Sequence, residues 1–289
     1  MHGSTVDLQA AFRGVGARGW VHARQIDGDQ EIGCGADDPV VLASVFKIPI
    51  VLRYAIEVDA GRLDPTERTT IAARHRTGGI GTGGCADDVT ATWRDVALLM
   101  MTLSDNAATD AMLERVGLAA VNETLQVCGA ERTRLVGSCA DLFESVGAEL
   151  GAPYVEALAA ASPEQVRGLS VLDSARTSAT TPRDITGLLA AIWRDEAGPA
   201  AACAEVRSIM ARQIWPHRLS SGFPDPVKIA GKTGTLPSLR NEAGVVTYPD
   251  GGRYAVGVFT RADDLAQRQP AIDAAIGSAA RMAVEALRV

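Results

Sequence analysis

Two polar side chains, Ser44 and Lys47, interrupt the centre of the almost wholly apolar stretch PVVLASVFKIPIVLRYAI (residues 39–56). Their spacing puts both on one face of a helical turn. A serine hydroxyl becomes a useful nucleophile only when a neighbouring base takes its proton. Lysine can be that base if burial or a second cation lowers its pKa, whereas arginine keeps its proton. Lysine is scarce: Lys47, Lys228 and Lys232 are the only three among 28 basic residues. Lys232 opens Lys232-Thr233-Gly234-Thr235, and Ser104-Asp105-Asn106 lies between the two lysine motifs. A lone Ser-x-x-Lys is commonly a helix start with a snorkelling lysine, and Ser-Asp-Asn alone is commonly a turn. In this order, with two of the three lysines inside them, the motifs point to covalent acyl transfer. In that reading Ser44 is the nucleophile and Lys47 its base. Lys232 is the second cation, and Ser104 relays a proton between the lysines and the leaving group. Asn106 orients Lys47 and binds a substrate amide, while Thr233, Gly234, Thr235 and Arg240 hold substrate, including a carboxylate.

These side chains need elements to bring them together. Residues 18–34 read as two short strands around Asp27-Gly28-Asp29. A helix is expected to begin at Ser44, with Val45, Ile48, Val51, Leu52 and Ile56 on its apolar face and Pro49 near its first turn. The middle of the chain reads as helical. Thr92 to Asp95 forms a capping-box-like start, a helix over 107–116 stops at Gly117, and Thr181-Pro182-Arg183-Asp184 opens another. Near the end the period shifts to strands, with a hairpin about residues 249–252, then a last helix. The expected class is α/β of the α+β type: an antiparallel sheet built from both termini (residues 1–60 and 216–289) and an inserted all-α domain (61–215). The glycine-rich run 78–84 contains a Gly-x-Gly-x-x-Gly, but no strand feeds it and no helix opens from its last glycine. It therefore reads as a loop.

From about residue 18 to the C-terminus the chain resembles the penicillin-recognising serine enzymes, and among them the class A β-lactamases. The resemblance rests on the three motifs, on the 60 residues separating Ser44 from Ser104, on Thr180-Thr181-Pro182 at a helix start and on the strand pair after Lys232. It implies a sheet domain and an all-α domain with the active site between them. It also implies an oxyanion hole made by the backbone N–H groups of Ser44 and Thr235. The departure lies in residues 133–146, TRLVGSCADLFESV. Class A enzymes carry there a carboxylate that activates the deacylating water, followed by an asparagine. This chain has no Glu-x-x-Leu-Asn, and Ser138, Cys139 or Ala140 stands at the expected place. Asp141 and Glu144 are the candidate replacements, and an insertion falls within 138–175.

The remaining composition narrows the classes. A net charge of −7 with no basic run argues against nucleic acid. The five cysteines are scattered without a Cys-x-x-Cys pair, so reduced thiols are expected, with no metal and no cofactor. The N-terminus carries no recognisable signal peptide, and no apolar run reaches the length of a membrane helix, so a cytoplasmic location is expected. The expected partner is a small molecule, acting on a monomer or weak homo-oligomer. Three functions follow: a serine hydrolase of a small amide, ester or β-lactam-like substrate; a transacylase passing the acyl group to an amine or alcohol; or a penicillin-binding-type protein that does not turn over.

Overall fold

The computed structural model describes residues 6–76 and 79–288; Gly78, first of the glycine-rich run, lies outside them. The chain opens with β1 (Ala17–Gln25), β2 (Glu31–Cys34) and the two-residue β3 (Val40–Val41), then enters α1 (Lys47–Asp59). A small hairpin, β4 (Arg68–Ile71) and β5 (Val89–Thr92), precedes α2 (Trp93–Thr102), α3 (Asn106–Val116) and α4 (Leu118–Val127). Next come α5 (Cys139–Leu150), α6 (Tyr154–Ala160), α7 (Pro163–Arg167), β6 (Ala179–Thr180), α8 (Pro182–Trp193) and α9 (Ala200–Met210). Strands β7 (Lys228–Leu236), β8 (Leu239–Thr247) and β9 (Arg253–Ala262) and helix α10 (Pro270–Ala286) complete it.

The main sheet runs β2-β1-β9-β8-β7 with every pair antiparallel, so the first two strands join the last three. Both faces of this sheet are covered. Tyr254, Val256 and Val258 of β9 pack with Ile276, Ala280 and Ala283 of α10, whereas Ala255 and Phe259 join the core that holds α1 and α8. Strict alternation with both sides apolar explains why β8 and β9 are buried along almost their whole length. The mixed α/β architecture and antiparallel sheet agree with the expected fold class.

Several helix boundaries follow their capping residues. Thr92 caps α2 by accepting from the Asp95 amide, and Thr181 caps α8 by accepting from the Asp184 amide at 3.1 Å. Gly117 ends α3 with φ of 84°, a conformation costly for a residue with a Cβ. The strand pairs β4–β5 and β3–β6 lie within or against the region read as helical, and neither was expected. Their strands are two to four residues long, too short to show a period of two. The β3–β6 pair matters for the site. It joins Val40 and Val41, just before Ser44, to Thr180 and Ala179, just before α8.

Candidate active site

Ser44 stands in a 3₁₀ turn, Ala43–Phe46, and the α-helix proper starts three residues later, at Lys47. The expected start at Ser44 is corrected by Pro49. A helix begun at Ser44 would place the proline beyond the first turn, where its ring meets a carbonyl and a hydrogen bond is lost. Starting at Lys47 leaves Pro49 in the first turn, where no donor is needed. A 3₁₀ turn has three residues per turn, so Ser44 and Lys47 still share a face. Ala43, just before the serine, holds a left-handed φ of 46°. Such a conformation costs about 1–2 kcal/mol and persists only where the surroundings impose it. Here the buried Asn241 amide donates to the carbonyls of Val41 and Leu42 at 2.9 and 3.4 Å, fixing the approach to the turn.

Lys47 is wholly buried. Its Nζ donates to the Ser104 carbonyl at 2.7 Å, to Asn106 Oδ1 at 2.9 Å and to Ser104 Oγ at 3.3 Å. All three acceptors are neutral. Burial holds the Lys47 pKa below its ordinary value, partly offset by Cys139, Asp105 and Asp110. Ser104 presents its carbonyl because its backbone is left-handed, φ 61°, at the break between α2 and α3. Asp105 keeps that break in shape. One carboxylate oxygen caps α3 at the Ala108 amide, and the other accepts from the Thr82 amide at 2.6 Å and hydroxyl at 2.7 Å. The described part of the glycine-rich run is thus a loop pinned onto the Ser-Asp-Asn turn, as its sequence context suggests.

The third motif lies on β7, the edge strand of the sheet. Gly234 is pressed against the serine's turn: a Cβ built there would come 2.8 Å from the Leu42 carbonyl and 3.1 Å from the Ser44 amide nitrogen. Only glycine allows this approach of strand to turn. Lys232 is also wholly buried and donates to the Thr233 carbonyl at 2.8 Å. Burial, then the charge of Lys47, push its pKa well below the ordinary lysine value. Among the described residues neither lysine lies within ion-pair distance of a carboxylate. The two ammonium groups repel one another, so the pair titrates as a unit.

Arg240 is not free to take a substrate carboxylate as expected. Its guanidinium pairs with Asp273 at 3.2 Å and donates to the Gln267 carbonyl. The guanidinium nearest Thr235 is that of Arg218, which reaches Thr235 Oγ1 at 2.8 Å, the Gly234 carbonyl at 2.9 Å and Asp273 at 2.8 Å. Arg218 therefore orients the Thr235 hydroxyl. Its own segment carries no recognisable motif that would single it out. Below, the buried Glu242 accepts from the Leu219 amide and Gln213, and burial pushes its carboxyl up to about 7.

Residues 138–150, whose conformation the sequence left open, form a capping box and helix α5. Asp141 accepts from the Ser138 amide at 2.7 Å and hydroxyl at 2.8 Å, so its carboxylate is occupied at the helix start. Glu144 is exposed and does not line the cavity beside Ser44. Asp141 thus borders the cavity with its carboxylate engaged by Ser138, and Glu144 stands outside it. Cys139 instead occupies the space next to Asn106, its Sγ 3.4 Å from Oδ1. Asp110, one turn along α3 from Asn106, accepts from the amides of Cys139 and Ala140 at 2.7 and 2.9 Å and seats α5 there. Burial pushes the Cys139 thiol up to about 12, which leaves it neutral and unable to act as a base near pH 7. Changing Asp141→Asn or Glu144→Gln is expected to alter the rate of acyl-enzyme breakdown by less than about twofold. A general base at either position would cost about 100-fold, a difference that stopped-flow turnover resolves.

A model of the "Beta-lactamase enzyme family" matches residues 4–287, which takes in every residue described above. The chain belongs to the β-lactamase enzyme family. Its fold is that of the penicillin-recognising serine enzymes. One curated relative, the β-lactamase regulatory protein BlaB of Streptomyces cacaoi, is 29% identical over 305 residues, covering 98% of this chain and 96% of the relative. Two solved structures each superpose with a TM-score of 0.77. The β-lactamase of Sphaerobacter thermophilus is 26% identical, with 96% of this chain and 94% of the other covered. PBP-A is 24% identical, with 97% and 94% covered. The proteins this chain is similar to thus include one described as a β-lactamase and one described as regulatory.

Proposed function

We propose that the protein is a serine hydrolase that forms an acyl-enzyme at Ser44 on a small ester, amide or β-lactam-like substrate. The observation that supports it best is Lys47: a wholly buried ammonium held by three neutral acceptors, one turn from a serine at the mouth of a cavity. Lys47 in its neutral form accepts the Ser44 proton as Oγ attacks the acyl carbon. The bond from that carbon to the leaving oxygen or nitrogen then breaks. The proton passes by way of Ser104 to the departing group. The amides of Ser44 and Thr235 stabilise the oxyanion, a contribution on the order of 3 kcal/mol per donor in such sites. Thr233 and Thr235 hold a substrate carboxylate, the latter oriented by Arg218.

A second reading, transfer to an amine or alcohol, is favoured by the neutral Cys139 thiol beside Asn106 and by the engagement of Asp141 with Ser138. Without a base for water, the acyl-enzyme persists. We expect mixing with a penicillin or an activated ester to give a burst of about one product per enzyme, then a slow steady state, with the adduct seen by intact-protein mass. Acceleration of the slow phase by an added amine, with the amide as product, favours the transferase. Acceleration by nothing but higher pH favours the hydrolase. Turnover without burst or adduct, or no reaction with either reagent, sinks the acyl-enzyme reading.

A further inference from the structure

The cavity at Ser44 has a volume of about 370 Å³ and extends away from the serine beneath α5 and α6. Leu142, Phe143, Tyr154, Val171 and Leu236 supply its apolar walls, with the Phe143 and Tyr154 rings tilted by 47° and their centroids 4.3 Å apart. Tyr154 and Leu236 are shared with a second cavity of about 670 Å³, which continues between α6 and the β7–β8 turn, past Leu158 and Leu265. Of the polar side chains bordering the second cavity, Arg240 is engaged with Asp273 and the Gln269 NH2 group with Asp264, which leaves the Gln267 amide and Gln269 Oε1 as polar groups at its end. Val155, 73% exposed on α6, borders it from outside. The two cavities therefore form one track leading from the nucleophile, polar near Ser44, Asp141 and Arg176 and with a continuous apolar side, and α5 and α6, which fall within the unusual stretch 138–175, build much of that side.

We propose that this track binds the acyl arm of the substrate, and that the arm is a linear, medium-length aliphatic chain. The proposal rests on Ser44 being the acylated residue. The arm belongs to the acyl side rather than the leaving group because Asn106 and Thr235 line the cavity and Ser104 and Lys232 do not. The leaving group must collect its proton from the Ser104 side, so the part that stays on Ser44 points along the track. A flexible chain can pass from the first cavity into the second between Tyr154 and Leu236, whereas a compact bicyclic group would occupy the first cavity alone. Burying apolar length is favourable in proportion to the area removed from water.

The test is kcat/KM for nitrophenyl esters from acetyl through butyryl, hexanoyl and octanoyl to decanoyl, with intact-protein mass to locate the adduct. The expected result is a rise of about fourfold per methylene between butyryl and octanoyl. Leu158→Arg should then lower the decanoyl-to-butyryl ratio at least tenfold. Val155→Glu, at an exposed helical position that tolerates the change, provides a second variant whose folding is not at risk and should lower the ratio in the same direction. A flat series in the parent, or a slope unchanged in both variants, overturns the proposal. In either case, adduct on Ser44 from the acetyl ester leaves the nucleophile assignment standing. No adduct on Ser44 from any ester overturns both.

Discussion

Ser44→Ala is expected to abolish covalent adduct formation with every penicillin or activated ester while leaving the protein folded. The expectation starts from what the side chain does in the resting structure. Ser44 is partly exposed at the cavity lip, and no hydrogen bond of its hydroxyl to another described residue helps hold the turn. The turn is fixed instead by Asn241, by the β3–β6 pair and by Gly234 packed against the backbone. Removing one hydroxyl should therefore change stability by less than about 0.5 kcal/mol, as for surface substitutions that break no special feature. The chemistry has no such redundancy. Cys139, which lines the same cavity, is buried and held neutral, and the Ser104 hydroxyl lies within reach of Lys47 only at 3.3 Å and does not line the cavity. Intact-protein mass after mixing with penicillin, alongside thermal unfolding, checks both halves. An adduct of unchanged yield in Ser44→Ala would move the nucleophile elsewhere.

The parts of the site legible in the sequence are those whose chemistry conflicts with their surroundings. A lysine in an apolar helix is costly unless it has a task, so Lys47 and Lys232 stood out, and their motifs led to Ser104 and Asn106. The sheet built from both ends was legible because β1, β8 and β9 are nine or ten residues long and flanked by turn residues. What stayed hidden depends on contacts distant in sequence. Arg218 reaches Thr235 across 17 positions, and the Cys139 thiol meets Asn106 across 33. One clue was available for the second. Asn106 and Asp110 lie four apart on one helix, so an acid on the face that carries the Ser-Asp-Asn asparagine was bound to meet whatever packs there. What packs there is the N-terminus of α5, whose free amides suit a buried carboxylate. Arg240 was misread for the opposite reason. Its place beside Thr235 in the β7–β8 register is real, but Asp273 of α10 already holds the guanidinium.

Lys47→Arg is expected to lower the acylation rate on the order of 10³-fold, nearly as much as Lys47→Ala, because a guanidinium keeps the charge and cannot accept a proton near neutral pH. The pH profile carries the sharper test. Acylation needs neutral Lys47, so its rate should rise with pH through a limb lying below the ordinary lysine pKa of about 10.4, where burial has moved it. Lys232 is also depressed, by burial and then by the charge of Lys47. The first proton lost on raising the pH belongs to the pair, and the loss of that charge makes the second harder to remove. Lys232→Arg replaces a titrating cation by a permanent one. Lys47 is then kept under repulsion across the whole range, so its limb should move to lower pH while the plateau rate falls much less than in Lys47→Arg. Lys232→Met removes the repulsion and should move the limb to higher pH. Single-turnover acylation rates against pH in the parent and both variants decide the matter. Limbs that coincide in all three would mean that the two lysines do not interact, and equal plateau losses in Lys47→Arg and Lys232→Arg would mean that Lys47 is a structural cation and the base lies elsewhere.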